Sequence, residues 1–201
     1  PAGVGVNSVD PGAFNSSSNT FFVMSLAPFM EQVVFVMIAG FYLSDGELGL
    51  FKAAERLALS MSFIYFVMNT VIPPRFAKLN EQKDINGLLI LARRASFVSL
   101  VLASPLLVIF FVAPQKVLSL YGAGFSEASS MLRIIVFAQA VNVVTGSVGH
   151  ILNMTGHEKD TRNIIIVGSA LGIALLLFLT SRYGPIGAAY AIAATMVSQK
   201  L

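Results

Sequence analysis

Six apolar segments follow one another along this chain with only short connections between them. That succession restricts the fold more than any single motif does. The segments cover 21–42, 48–72, 95–113, 129–154, 163–180 and 185–201. A helix needs about 20 residues to cross a hydrocarbon core of about 30 Å. A lone segment as short as the fifth would also suit a buried helix of a soluble protein, but six in a row would not. Charge content agrees: 11% of the 201 residues are charged and 56% are hydrophobic, whereas a soluble domain is roughly a quarter charged. The sequence therefore predicts an all-α integral membrane protein, a six-helix transmembrane bundle over 20–201. A polar Gly/Ser/Asn stretch over 1–19 precedes it.

The connections carry turn chemistry: Ser44-Asp45-Gly46, Pro73-Pro74, Tyr121-Gly122-Ala123-Gly124, Thr155-Gly156 and Tyr183-Gly184-Pro185. The longest, 73–94, alternates polar with apolar residues (Phe76, Leu79, Ile85, Leu88, Leu89) and is expected to lie on the membrane surface as an amphipathic helix. Pro105 predicts a kink in the third segment. Gly168 and Gly172 form a small-xxx-small pair that permits close helix approach. Arg75, Lys78, Lys83, Arg93, Arg94, Lys159, Arg162 and Lys200 fall on one side, against Lys116 and Arg182 in the opposite connections. Basic loops stay in the cytoplasm, which predicts that both ends of the chain are cytoplasmic. No basic leader precedes the first segment, the first residue is not Met, and the last apolar segment reaches Leu201. The chain is thus expected to be part of a longer protein.

Ionisable groups inside these segments are the candidate functional residues, because a charge at membrane depth is costly unless it faces a partner or a cavity. Glu31 lies near the midpoint of the first segment. Lys52, Glu55 and Arg56 fall at i, i+3 and i+4 of the second, on one helical face. The long basic side chains there can reach toward the interface, which the short Glu31 cannot. Three states are open to Glu31: protonation, pairing with Lys52 or Arg56 from the adjacent antiparallel helix, or exposure to a watery cavity. In the fourth segment Gln139, Asn142, Gly146, Gly149, His150 and Asn153 share one face at about 100° per residue. Hydrogen bonding between helices accounts for such a stripe as readily as a cavity does. His150 is a candidate proton carrier, and Arg133 lies off the stripe near the outer end.

Several classes of chemistry are excluded or unsupported. Without Cys there are no disulfides, thiolate metal sites or thiol nucleophiles. His157 beside Glu158 and Asp160 lacks the ligand number and spacing of a metal site. No phosphate loop and no nucleophile–base arrangement is present. Neither an enzyme, nor a cofactor, nor a nucleic-acid partner is expected.

Four stretches resemble one family in order and spacing. The run from Asp45 to Leu57 (DGELGLFKAAERL) is similar to the "vGlYxxAxrl" turn and helix start of oligosaccharide flippases. These are the O-antigen and polysaccharide repeat-unit exporters of the multidrug/oligosaccharidyl-lipid/polysaccharide superfamily. The run from Val71 to Leu79 (VIPPRFAKL) resembles their proline-terminated helix entering a basic loop. Leu120-Tyr121-Gly122-Ala123-Gly124-Phe125, with Ala128 and Leu132-Arg133-Ile134, resembles "lyGxxFxxAxxxLril". The run from Tyr183 to Ala191 (YGPIGAAYA) resembles "yGxxGaAxA". The resemblance implies the C-terminal lobe of a two-lobed transporter, with the N-terminal lobe elsewhere in the longer protein. It implies translocation of undecaprenyl-pyrophosphate-linked oligosaccharide across the bacterial cytoplasmic membrane by alternating access, with membrane lipid as the surrounding partner. The cavity would be lined by the first two helices of each lobe. Lys52 and Arg56 would contact the anion, and Glu31 would be their charge partner or a proton-coupled switch. Glu55 departs from a simple anion trap. A multidrug cation antiporter of the same superfamily is the nearest rival. A membrane enzyme acting on lipid-linked sugars would need larger outer loops, and a passive scaffold subunit stays open because most of these features serve packing equally well.

Overall fold

The computed structural model of the protein describes residues 11–154 and 158–200. Within them it describes the side chains of all but 11–21, Met24, Tyr65, Asn69, 146–154, 158 and 159. The chain is helical throughout, with no strand among the described residues. Its elements are α1 (Pro11–Tyr42), α2 (Asp45–Leu59), α3 (Ser62–Val71), α4 (Pro73–Glu81), α5 (Ile85–Val112), α6 (Pro114–Leu118), two 3-10 turns (Ser119–Tyr121 and Ala123–Ala128), α7 (Ser129–Met154) and α8 (Glu158–Ser198). Five stretches are long and apolar enough to cross a bilayer: Ser25–Tyr42, Asp45–Glu81, Ile85–Val112, Ala123–Thr145 and Asp160–Ser198.

The junctions show why the helices start and stop where they do. Ser44 caps α2 in a reciprocal box. Its hydroxyl accepts from the Glu47 N–H at 3.4 Å, and the Glu47 carboxylate accepts from the Ser44 N–H at 3.0 Å, so two orphan donors of the first turn are satisfied. Between α2 and α3 the backbone tightens into i→i+3 bonds, Met61 N–H to Ala58 O at 3.1 Å and Phe63 N–H to Ser60 O at 3.3 Å. Pro73 and Pro74 do not form a turn. They occupy the first positions of α4, where a fixed φ suits the helix and a missing N–H costs nothing. The 73–94 connection is shorter than its sequence suggests: α4 takes its first nine residues, and α5 begins at Ile85, capped by Asp84 on the Gly87 N–H at 2.9 Å. Arg93 and Arg94 therefore lie on α5, not in a loop. Likewise α1 begins at Pro11, inside the polar N-terminal stretch. The Thr155-Gly156 turn and His157 lie outside the described residues.

α5 continues through Pro105, which has no N–H to offer the Val101 carbonyl four residues back. The Ser104 hydroxyl donates to that carbonyl instead, at 2.8 Å. Arg133 Nε likewise donates to the Phe111 carbonyl in the last turn of α5, at 3.3 Å. In a bilayer such freed carbonyls have no water to turn to.

The fifth and sixth apolar segments fall in one element, α8, which doubles back at Gly184 (φ 59°, ψ −140°) just before Pro185. The two legs pack antiparallel, and glycines set their separation. A Cβ on Gly172 would lie 2.2 Å from Thr195 Oγ1, and one on Gly187 would lie 2.1 Å from the Leu179 carbonyl oxygen. α7 packs against α8, α5 and α2, whereas α1 runs along α8 and meets α2 only sparingly. The main core joins Phe35 and Ala39 of α1, Phe51 and Ala54 of α2, Leu132 and Ile135 of α7, and Ala188 and Ile192 of α8. A smaller core at the opposite end ties α4 to α5 through Phe76, Leu88 and Ala95. One end of the bundle thus gathers the Ser44 turn, Gly184 and the 3-10 turns; the other carries α4 and the basic residues.

Gly172 and Gly49 offer a direct test of the packing. Gly49 faces open space on α2, whereas Thr195 fills the position a Cβ would need at Gly172. G172A is expected to lower unfolding stability by about 1–3 kcal/mol, the usual cost of overpacking. G49A is expected to be neutral or stabilising by up to about 1 kcal/mol. Denaturant unfolding in bicelles measures both.

Candidate functional site

Three groups of polar side chains lie within the apolar stretches, and the packing of α1, α2, α7 and α8 determines what each can do.

The first is on α2. Besides Ala53 on the other side of the helix, Phe51, Ala54, Glu55 and Ala58 are buried, at the i, i+3, i+4, i+7 spacing that faces a core. Lys52 and Arg56 are turned away from that face. Lys52 pairs with Glu55 one turn along the same helix, and its side chain is about one-third exposed. Glu55 is buried, so its charge is balanced where it sits. Arg56 is exposed, and among the described residues it makes no ion pair or hydrogen bond. It lies about 16 Å along the helix from Asp45, at 1.5 Å per residue, well inside the thickness of a bilayer. The three residues of the i, i+3, i+4 set are thus split into a closed pair and a free cation.

The second group centres on Glu31, which does not pair with Lys52 or Arg56. The physical reason is that α1 leans on α8 beyond the Ser44 turn. Glu31 Oε2 accepts from Ser169 Oγ on the first leg of α8 and, at 2.9 Å, from Gln199 Nε2 just past the second. Gln199 Nε2 also lies 3.2 Å from Ser169 Oγ. Gly168 makes this possible, since a Cβ there would stand 2.5 Å from Gln199 Cγ. The absent side chain is the path along which Gln199 reaches the carboxylate. One half-buried acid thereby holds three helical legs together without a cation.

The third group is the stripe on α7. Gln139 is 1% exposed. Its Oε1 accepts from Ser62 Oγ on α3 at 3.4 Å and from Asn142 Nδ2 at 3.3 Å. Gln139 Nε2 and Asn142 Oδ1 are buried with no partner among the described residues. Ser96 on α5 donates to the Val144 carbonyl at 2.6 Å. This part of the stripe is a seam between α3, α5 and α7 and is closed to solvent at Gln139. His150, Gly146, Gly149 and Asn153 lie on α7, and their side chains fall outside the described set. No group of three or more His, Cys, Asp or Glu gathers among the described residues.

Ser169 and Gln199 escape a reading of the sequence alone. Both are ordinary polar residues in apolar surroundings, and only the hairpin geometry of α8 brings them to Glu31. Their one local signal is Gly168 beside Ser169.

If the three side chains form one network, S169A and Q199A should each cost about 1–3 kcal/mol of stability, the range for leaving a buried polar partner unsatisfied. The double variant should cost less than their sum, because Gln199 also bonds Ser169. A double-mutant cycle by denaturant unfolding reads the coupling, and a value near zero would dissolve the network. Comparison of the chain with known protein families, with characterised proteins and with solved structures finds no match.

Proposed function

We propose that this chain is one lobe of a transporter that flips lipid-linked oligosaccharides across the bacterial cytoplasmic membrane. The observation that carries the reading is Arg56. It is an exposed cation on a helix of membrane-spanning composition, about 16 Å along that helix from Asp45, and no described residue pairs with it. In lipid that arrangement costs about 2.5–3.5 kcal/mol or more, so Arg56 is assigned to a watery cavity or a second lobe. The resemblance of the turn and start of α2 to oligosaccharide flippases supplies such a cavity, lined by the first two helices of each of two lobes. Reading the two legs of α8 as separate crossings would bring the five apolar stretches to the six expected for one lobe.

Within that reading the geometry reassigns roles. Lys52 is committed to Glu55, so the anion contact narrows to Arg56, whose planar fork of donors suits two oxygens of a pyrophosphate. Alternating access would expose that fork to one leaflet and then the other. Glu31 is read as a structural tie between α1 and α8, since its carboxylate is occupied by donors of the same bundle. The same occupancy counts against the rival cation antiporter, which needs a carboxylate free to meet its substrate.

In the full-length protein R56A should reduce surface polysaccharide at least tenfold while protein level stays unchanged, because an exposed unpaired side chain contributes little to folding. R56K, which keeps the charge and loses the fork, should fall between. Normal polysaccharide in R56A would overturn the assignment, and efflux of cationic drugs by the intact protein would favour the antiporter. E31Q should leave the pH profile of transport unchanged, and a displaced profile would move Glu31 from a structural to a coupling role.

A further inference from the structure

α5 is 28 residues long, about 42 Å at 1.5 Å per residue. That is about eight residues more than a ~30 Å hydrocarbon core requires, and the apolar run continues unbroken to Val112, so the surplus lies at the N-terminal end. Counting about 20 residues back from Val112, the core ends at residue 92 or 93. Arg93 and Arg94 therefore stand at the boundary between hydrocarbon and headgroup, at the depth of lipid phosphates. Both are exposed, and among the described residues neither has an ion pair or a hydrogen bond. The surface around them stays apolar on both sides. Leu89 and Ile90, one turn before them, are 52% and 51% exposed, and Phe97, one turn after Arg93, is 67% exposed. The two cations are thus set into a lipid-facing row and do not mark its end.

α4 brings more positive charge to the same place. Phe76 and Leu88 hold it against α5, and its Arg75 and Lys78 are exposed. Of the carboxylates on these two elements and the loop between them, Glu81 is exposed and Asp84 is turned to the Gly87 N–H as the cap of α5. The end of the bundle is left with uncompensated positive charge at phosphate depth.

We infer that Arg93 and Arg94 bind the phosphate of an anionic glycerophospholipid in the leaflet at this end of the bundle, with its acyl chains along Phe97 and Val98. Excess basic charge at headgroup depth favours an anionic lipid over a zwitterionic one. The site is independent of the Arg56 assignment and survives if that fails.

The test takes the full-length protein in vesicles of phosphatidylglycerol and phosphatidylethanolamine, and counts the lipids retained by native mass spectrometry. Wild type should retain phosphatidylglycerol preferentially. R93Q/R94Q should lower that preference about twentyfold, and the single variants about fivefold each, at the strength typical of one basic residue near a charged surface. The single variants also suffice should the double variant not fold. K116Q/R182Q, at the opposite end of the bundle, should retain the wild-type preference. The inference is overturned if wild type shows no preference, if loss of both arginines leaves it intact, or if the K116Q/R182Q control abolishes it equally.

Discussion

A strongly polar group inside a bilayer can bond only to its own protein, and in this chain that constraint decides which helices touch. Glu31 stands in the middle of an apolar helix, and the bundle is arranged so that two donors from α8 reach it. The hairpin of α8 brings Ser169 and Gln199 side by side, and Gly168 clears the path for the longer of the two. α1 consequently lies along α8, with only the Ser44 turn holding it beside α2. The tie joins parts of the chain 138 and 168 residues apart in sequence, so α1 and both legs of α8 must come together before the carboxylate is satisfied.

The same requirement is met wherever the backbone is freed. Ser104 donates to the carbonyl that Pro105 cannot serve, and Arg133 to a carbonyl in the last turn of α5. Gln139 and Asn142 are the counter-case. Each amide uses one end and leaves the other buried and unbonded, at a typical cost of about 1–3 kcal/mol per group. That marks the seam between α3 and α7, like the Thr180 hydroxyl on α8, as a place where buried polar groups stay unbonded among the described residues. The seam lies beside the Ser60–Met61 tightening in the long helical run from Asp45.

Local chemistry was legible in the sequence, and distant pairing was not. The apolar segments, the reversal at Gly184-Pro185 and the close approach at Gly168 and Gly172 are written in residues a few positions apart. The polar face of α7 was visible too, although its closure by Ser62 depends on where α3 lies. Glu31 was conspicuous because a carboxylate is out of place in an apolar run. Its partners were not, because Ser and Gln are unremarkable in any helix, and the nearest opposite charges, Lys52 and Arg56, belong to a helix that diverges from α1. Pro73-Pro74 was ambiguous for a different reason. A proline pair ends one helix and begins another with the same two residues, and only the Ile72 backbone, which stays in the α region, decides between a turn and a continuation.

Depth separates the arginines more sharply than residue type does. Arg133 sits beside the end of α5 and spends its charge on a carbonyl. Arg93 and Arg94, on the inference drawn above, meet a lipid phosphate where hydrocarbon gives way to headgroups. Arg56 has neither resource: it lies about 16 Å along α2 from Asp45, and among the described residues it makes no ion pair or hydrogen bond. A guanidinium cannot give up its charge, and Glu55, the nearest carboxylate on its helix, is already paired with Lys52. On the flippase reading proposed above, what remains for Arg56 is a surface from outside this bundle, and that requirement, more than any motif, is why the proposal rests on its face of α2.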